Sequence, residues 1–320
     1  MRRNSSEDTL LGKSRLNSTS DKSAQFAAII CNTFWGMSFL ASRVTLNYAP
    51  VIVILSHRFL LAFLLMSLLL PTRYGHLRFR GRAIWPLLLL GLLEPVLYYI
   101  GELYGILHST TIFSGVMVSI IPIVSIIAAV PILKERITSR QVFFSILSVS
   151  GVVGIGMLSN SEGALDWIGV LGLLVAVFAA SAFTLLNKRI SGIYSSFERT
   201  YIMMADAALV FTVMAAVTVK GNMAEYVKPL SSMNYVLALV YLSVFCSVIC
   251  FFLSCFCISR LSVAKTTIFV NLTTVVSVLA GALILHEPLS LVGVLCCGGI
   301  LIGIYGVQHV TPCREPKNPE

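Results

Sequence analysis

Glu94, Glu102, Asp206 and Arg58 stand inside long apolar stretches. An ionised side chain at mid-helix in a bilayer costs roughly 2.5–3.5 kcal/mol, so each asks for a partner or a water-filled cavity. Such groups bind protons, cations or charged solutes, or they serve as structural carboxyls bonded to a neighbouring helix. Glu94 precedes Pro95, whose ring removes a backbone donor and kinks a helix beside the carboxyl. Glu102 follows about 80° further round the same helix, with Tyr98, Tyr99 and Tyr104 close in sequence. Arg58, next to His57, is the counter-charge available to either glutamate, and an Arg58 pair with Glu102 or Glu94 would hold a zwitterionic solute by exchanging partners. His57 reads as a packed or interfacial histidine sooner than as a proton relay. Asp206 lies among Ala205, Ala207 and Ala208, where cavity lining and a bonded helix contact fit equally. Trp35, Tyr98, Tyr99, Tyr104 and Phe113 suit stacking on an apolar solute or ordinary helix packing, whereas Trp85, Trp167 and Tyr235 fall at segment ends as interfacial anchors. Asn187, Asn271 and the threonines at 266, 267, 273 and 274 offer uncharged contacts of the kind that glue membrane helices or bind solute.

These residues need a membrane scaffold to position them. Hydrophobic residues make up 57% and charged residues 12% of the chain, with a mean hydropathy of +0.89, whereas soluble domains hold about 25% charged residues. The 23 Lys and Arg against 14 Asp and Glu are scattered between apolar runs, which argues for loop charge and against a nucleic-acid partner. Seven of the eight cysteines lie in apolar runs, as packing residues and not as a disulfide framework or metal site. The chain has no phosphate-binding loop, zinc-protease motif or nucleophile elbow, so it predicts no cofactor, no metal and no enzyme, and uphill work would have to draw on an ion gradient or on solute exchange.

Residues 1–22 read as a disordered cytosolic tail and 310–320 as a second tail. Between them ten apolar spans are expected, at 24–47, 50–70, 83–105, 110–133, 140–158, 166–187, 200–219, 234–258, 264–285 and 289–309. With both termini cytosolic, the inner segments carry 19 Lys and Arg and the outer ones only Lys220 and Lys228, the bias of a multi-pass protein in a cytoplasmic membrane. A shift of 152 aligns Val124, Ser125, Ala128, Ile132, Leu133, Glu135, Val142, Gly151 and Gly154 with Val276, Ser277, Ala280, Ile284, Leu285, Glu287, Val294, Gly303 and Gly306. This internal duplication predicts an all-α integral membrane fold of two five-helix repeats, 24–158 and 166–309. An odd number of spans forces the second repeat to start inverted, the architecture that shows one central site alternately to either side. Glu135 and Glu287 then read as turn residues capping or bridging helices. The Gly101 to Gly105 and Gly299 to Gly303 pairs allow close helix approach, within the chain or at a homodimer seam.

The motifs resemble those of the drug/metabolite transporter superfamily, specifically its ten-helix members with two EamA-type repeats. The likeness rests on Trp35-Gly36-Met37-Ser38-Phe39 with Arg43, Pro50 and Arg58-Phe59 with Ala62, then Glu102-Leu103-Tyr104-Gly105-Ile106, Pro122 and Lys134-Glu135-Arg136, and in the second half Lys188-Arg189, Phe269-Val270-Asn271-Leu272 and His286-Glu287-Pro288. Thr274 stands where the ninth-helix proline is expected, and Met203 where the second half would repeat Arg58. The resemblance implies an exporter or exchanger of small metabolites, amino acids foremost. Helices one to four and six to nine would surround a central cavity and helices five and ten lie outside, with a proton or an exchanged solute as co-substrate. Substrate-binding candidates are Glu94, Glu102, Arg58, Trp35, Tyr98, Tyr99, Asn271 and Asp206. Two alternatives are a nucleotide-sugar exchanger of the same fold, which would want a denser basic cavity, and a membrane-embedded lipid-processing enzyme, which would want clustered polar residues at one interface.

Overall fold

The computed structural model describes residues 5–72, 77, 82–108, 117–135, 137–158, 167–284 and 291–310. Helix α1 covers Ser5–Leu46, beginning inside the segment read as a tail, since extending an established helix costs far less than nucleating one. After it, prolines and polar caps set many of the starts. Pro50 precedes α2 (Val51–Leu68), and prolines open α3 (Trp85–Gly91) and α5 (Ile121–Leu133), where a missing N–H costs nothing. Helix α4 spans Tyr98–Leu107, α6 Ser139–Leu158 and α7 Trp167–Ile190. Ser195 and Glu198 form a capping box on α8 (Ser196–Thr218), Asn222 caps the short α9 (Met223–Val227), and α10 and α11 cover Met233–Val240 and Cys250–Arg260. Ser262 caps α12 (Val263–Thr267), followed by α13 (Val270–Ile284) and α14 (Leu291–His309).

Two helical runs pass through π turns. Leu92–Leu97 joins α3 to α4, with Glu94 extended at φ −145°, ψ 123°, and Tyr241–Ile249 joins α10 to α11. Adding the repeat offset to the first segment gives 244–249, inside the second, so both halves carry the irregularity in the same helix. A π turn is a costly departure that recurs at functional sites. The ninth expected span also breaks, between α12 and α13, where Asn271 N–H donates to Ile268 and Leu272 N–H to Phe269 in tight turns. That break forms without the missing proline.

Among the described residues six helical runs are long and apolar enough to cross a membrane, and Ile121–Leu133 and Ser139–Ile155 are shorter apolar helices. Leu209, Val213, Val217, Leu237, Leu295 and Ile302 are all more than half exposed, a surface suited to lipid rather than water. The tip of the second repeated hairpin (286–290), together with Arg73, Arg78, Arg80, Phe113 and Arg136, lies outside the described residues.

One core gathers Phe59 and Met66 of α2, Leu87 and Leu90 of α3, Phe183 of α7, Met203 and Phe211 of α8 and Phe251 of α11. A second gathers α1, α6, α11, α13 and α14 around Ala28, Val152, Cys257, Val275 and Ile300. The repeated glycines lie at the contact of α6 and α14. A side chain at Gly303 would stand 2.6 Å from the Phe144 carbonyl and from Ser148 Cβ, and one at Gly151 would stand 2.7 Å from the Cys296 carbonyl and Ile300 Cγ1. Gly306 meets the Phe144 ring and Gly154 the Cys296 thiol, so each half supplies a glycine pair on which the other half's last helix rests. Nothing approaches Gly299. Of the pair expected at a seam, Gly303 serves internal packing. A side chain at Gly101 would likewise stand 2.6 Å from the Gly172 carbonyl.

Candidate functional site

Arg58 is carried by α2 at mid-helix and is 5% exposed. Its Nε donates to Ser247 Oγ at 2.8 Å and its Nη2 to Tyr99 OH at 3.1 Å. The guanidinium also lies 5.0 Å from the Tyr99 ring centre and 5.2 Å from that of Phe59, within cation–π range. Ser247 in turn donates to the Leu242 carbonyl five residues back, so the second π turn leaves a hydroxyl oxygen facing Arg58. Tyr99 comes from the first turn of α4, beyond the first π segment. The second π segment and the turn that follows the first thus hold one buried cation between the halves.

The expected ion pair takes a different form. Among the described residues no carboxylate sits on Arg58; Glu102 Oε1 instead accepts from Tyr98 OH at 3.1 Å, a partner one helical turn away. Arg58 still acts on Glu102 through its charge, and Glu102 on Glu94, so the three form one electrostatic neighbourhood without direct contact. Tyr98 and Tyr99 meet edge to face at 5.3 Å. The pairing fails locally because neutral hydroxyls from two other helices reach the guanidinium first.

Trp35 joins this neighbourhood by hydrogen bonding and not by stacking on a solute space. Its Nε1 donates to the Cys246 carbonyl at 3.0 Å, the residue before Ser247, and its ring meets Phe251 edge-on at 5.7 Å. The π turn exposes that carbonyl to a side-chain donor. Asn271 belongs elsewhere: its Nδ2 donates to Ser148 Oγ at 3.0 Å, at the contact of α6, α13 and α14. Asp206 also stands apart, packed against Gly91 at the end of α3. Its Oδ2 is buried with no hydrogen-bond partner among the described residues, so of the two readings that fitted it equally, a bonded helix contact is not made through that oxygen.

Three further groups were misjudged or missed on sequence. Arg199, counted as loop charge, is fully buried. Its guanidinium donates to Asn187 Oδ1, to the carbonyls of Asn187, Ser195 and Cys255, and to the hydroxyls of Ser196 and Ser259, pinning α7, α8 and α11 together. Tyr235, expected at an interface, is buried and bonds His57 Nδ1 at 2.8 Å. Beside it Ser56 bonds Tyr226 OH at 2.7 Å and Thr212 Oγ1 at 3.1 Å, so His57 sits in a packed polar cluster. No local signal marks the partners of Ser56 and His57, which come from more than 150 residues away. Glu135 does act at a helix end: its carboxylate accepts the Val263 N–H at 3.0 Å, at the start of α12, where helix-terminal N–H groups favour negative charge. Lys188 Nζ donates to the Leu261 carbonyl at 2.6 Å beside it.

Within the described residues no cluster of His, Cys, Asp or Glu could hold a metal ion. The arrangement is a buried cation, two carboxyls and aromatic hydroxyls.

A transporter of Bacillus subtilis, YcxC, is 32% identical over 302 residues, covering 92% of this chain and 96% of its own. A transporter of Archaeoglobus fulgidus is 25% identical over 274 residues, 85% and 94% of the two chains, and a WAT1-related protein of Arabidopsis thaliana is 22% identical over 253 residues, 70% and 67%. A crystal structure with TM-score 0.71 and 16% identity covers 89% of this chain and 96% of that one, a likeness of fold. The relatives are transporters and not enzymes. Residues 22–157 and 167–308 each match the EamA-like transporter family, and this multi-pass membrane chain, a transporter built from two such repeats, belongs to that family.

Proposed function

We propose that the protein is a secondary transporter, an exporter or exchanger of small metabolites such as amino acids, working by alternating access between two inverted five-helix halves with ten spans in all. In this reading both termini face the cytosol of a cytoplasmic membrane, as the loop charge requires. The observation that carries the proposal is Arg58, a buried guanidinium held by Tyr99 of the first half and Ser247 of the second with no carboxylate on it among the described residues. An Arg fork without an acidic partner is preorganised for a carboxylate of the solute. Glu102, Glu94 and Tyr98, on the helix that carries Tyr99 or the π turn before it, suit the solute's ammonium, while Trp35 steadies the π turn that presents Ser247. Because Arg58 bridges segments of both halves, a change in their relative position would alter its bonds and hence the affinity for cargo, which alternating access needs.

The test is counterflow in liposomes holding the purified chain, screened with labelled amino acids, amines and nucleotide sugars, with and without a pH gradient. Saturable exchange of an amino acid, weakened in Arg58→Lys, is expected, because lysine keeps the charge and loses the fork. Uptake indifferent to every gradient and every exchangeable solute would overturn the proposal.

A further inference from the structure

Asp206 lies on α8 against Gly91, the last residue of α3 and the entry to the first π segment. The contact is so close that any side chain at Gly91 would collide with the Asp206 carboxyl. Oδ2 is buried and has no hydrogen-bond partner among the described residues. The elements packed on α8 are α2, α3, α11 and the two π segments. Their ionisable groups are His57 and Arg58, Glu94, Tyr241, Cys246, Arg260 and the α11 cysteines, with Glu198, Arg199 and Tyr201 on α8 itself. None of these is hydrogen-bonded to Oδ2 among the described residues. Arg58 is turned to Ser247 and Tyr99, and Arg199 to carbonyls and hydroxyls.

Asp206 as a whole is only half-buried, but a carboxylate oxygen buried without a donor, as Oδ2 is, disfavours the charged form. A proton removes that charge and adds no bulk, whereas a metal cation needs a shell of several ligands that no group of described acidic residues supplies. We propose that Asp206 binds the proton that this transporter exchanges for cargo. When Gly91 and the π segment pack on α8, the carboxyl O–H is shielded. When the first π segment rearranges and Gly91 withdraws, water reaches Oδ2, the O–H bond breaks, the proton passes to water on the open side, and the exposed carboxylate is hydrated. Reprotonation from water on the opposite side allows the packed conformation to return. Extended Glu94, three residues past Gly91, ties this movement to the neighbourhood of Arg58, so cargo and proton bias the same segment.

This inference rests on the transport reading above, and two measurements separate their failures. The first is made on purified wild type and Asp206→Asn without any cargo: infrared difference spectra across a pH step, reading the protonated-carboxyl C=O stretch. Wild type is expected to show a band that Asp206→Asn lacks, and Gly91→Ala, which displaces the carboxyl without changing charge, to shift it. The second uses the labelled amino acid that exchanges in liposomes. An opposing proton gradient is expected to speed wild-type efflux by about fivefold or more, a coupling of at least ~1 kcal/mol, and the ratio of gradient-driven to exchange flux in Asp206→Asn is expected to fall to one. Identical infrared titrations in wild type and Asp206→Asn, or an undiminished flux ratio in the variant, would overturn the assignment. Absence of all cargo exchange in wild type would overturn the transport reading, and the infrared comparison would then decide Asp206 alone.

Discussion

Replacing Gly303 by alanine should destabilise the protein, whereas the same change at Gly299, one turn earlier on α14, should not. At Gly303 the new methyl would lie 2.6 Å from the Phe144 carbonyl oxygen, 2.6 Å from Ser148 Cβ and 2.9 Å from Ser148 N. Favourable contacts between such atoms fall near 3.5–4.0 Å. Two of the three neighbours are backbone atoms, so α6 and α14 must separate by roughly 1 Å instead of swinging a side chain aside. Overpacking of this kind costs about 1–3 kcal/mol. Alanine returns up to ~1 kcal/mol of helix propensity, leaving a net loss of up to about 2 kcal/mol when that return is complete. At Gly299 nothing lies within 4 Å, so only the propensity gain of up to ~1 kcal/mol applies. The separation would also stretch the Ser148 bonds to Asn271 and to the Ile300 carbonyl, 3.0 and 3.4 Å. The assay is thermal unfolding of the purified variants in detergent, followed by the monodisperse fraction on size exclusion. Gly151→Ala should match Gly303→Ala, and the double variant should lose less than the sum, because both force the same helix pair apart. Equal stability of Gly303→Ala and Gly299→Ala would refute the argument.

Three more expectations concern buried polar contacts. Arg199→Ala should sharply lower the yield of folded protein, and Arg199→Lys should rescue it poorly, since either change strips donors from the buried Asn187 and Cys255 acceptors at about 1–3 kcal/mol for each acceptor left unsatisfied; wild-type yield for the alanine variant would contradict this. Burial lifts the Glu135 carboxyl above its ordinary value of 4.5, against the opposing pull of the Val263 N–H and the charge of Lys188. The folded chain then holds that proton more tightly than the unfolded chain. Its contribution is complete below about pH 4.5 and is lost as the pH rises through the raised value, so Glu135→Gln should flatten that slope of stability against pH, and parallel slopes would count against it. Trp35→Phe keeps the ring and deletes the Nε1 bond to Cys246, which should cost about 1 kcal/mol and weaken cargo binding through Ser247. Unchanged exchange kinetics in that variant would separate Trp35 from the site.

What could be read from residues alone was whatever depends on composition and short-range order. The apolar runs required a bilayer, the offset of 152 exposed the two repeats, and the Glu94-Pro95 step marked a broken third helix, because proline and buried charge act within a turn of themselves. The turn role of Glu135 followed from its lone charge beside a helix end. The partner choices were decided by tertiary structure alone. Arg58 is joined to Ser247 across 189 residues and Arg199 to Ser259 across 60, and in both cases a neutral acceptor on another helix won over the carboxylates nearer in sequence. The second π segment has no proline to announce it, the α12 to α13 break occurs without one, and Asp206 could be told from a bonded helix contact only once Gly91 was seen against it. Side-chain charge and local backbone chemistry are written in the order of residues; which helix faces which, and so which polar group is left without a partner, is set by how the packed helices share space.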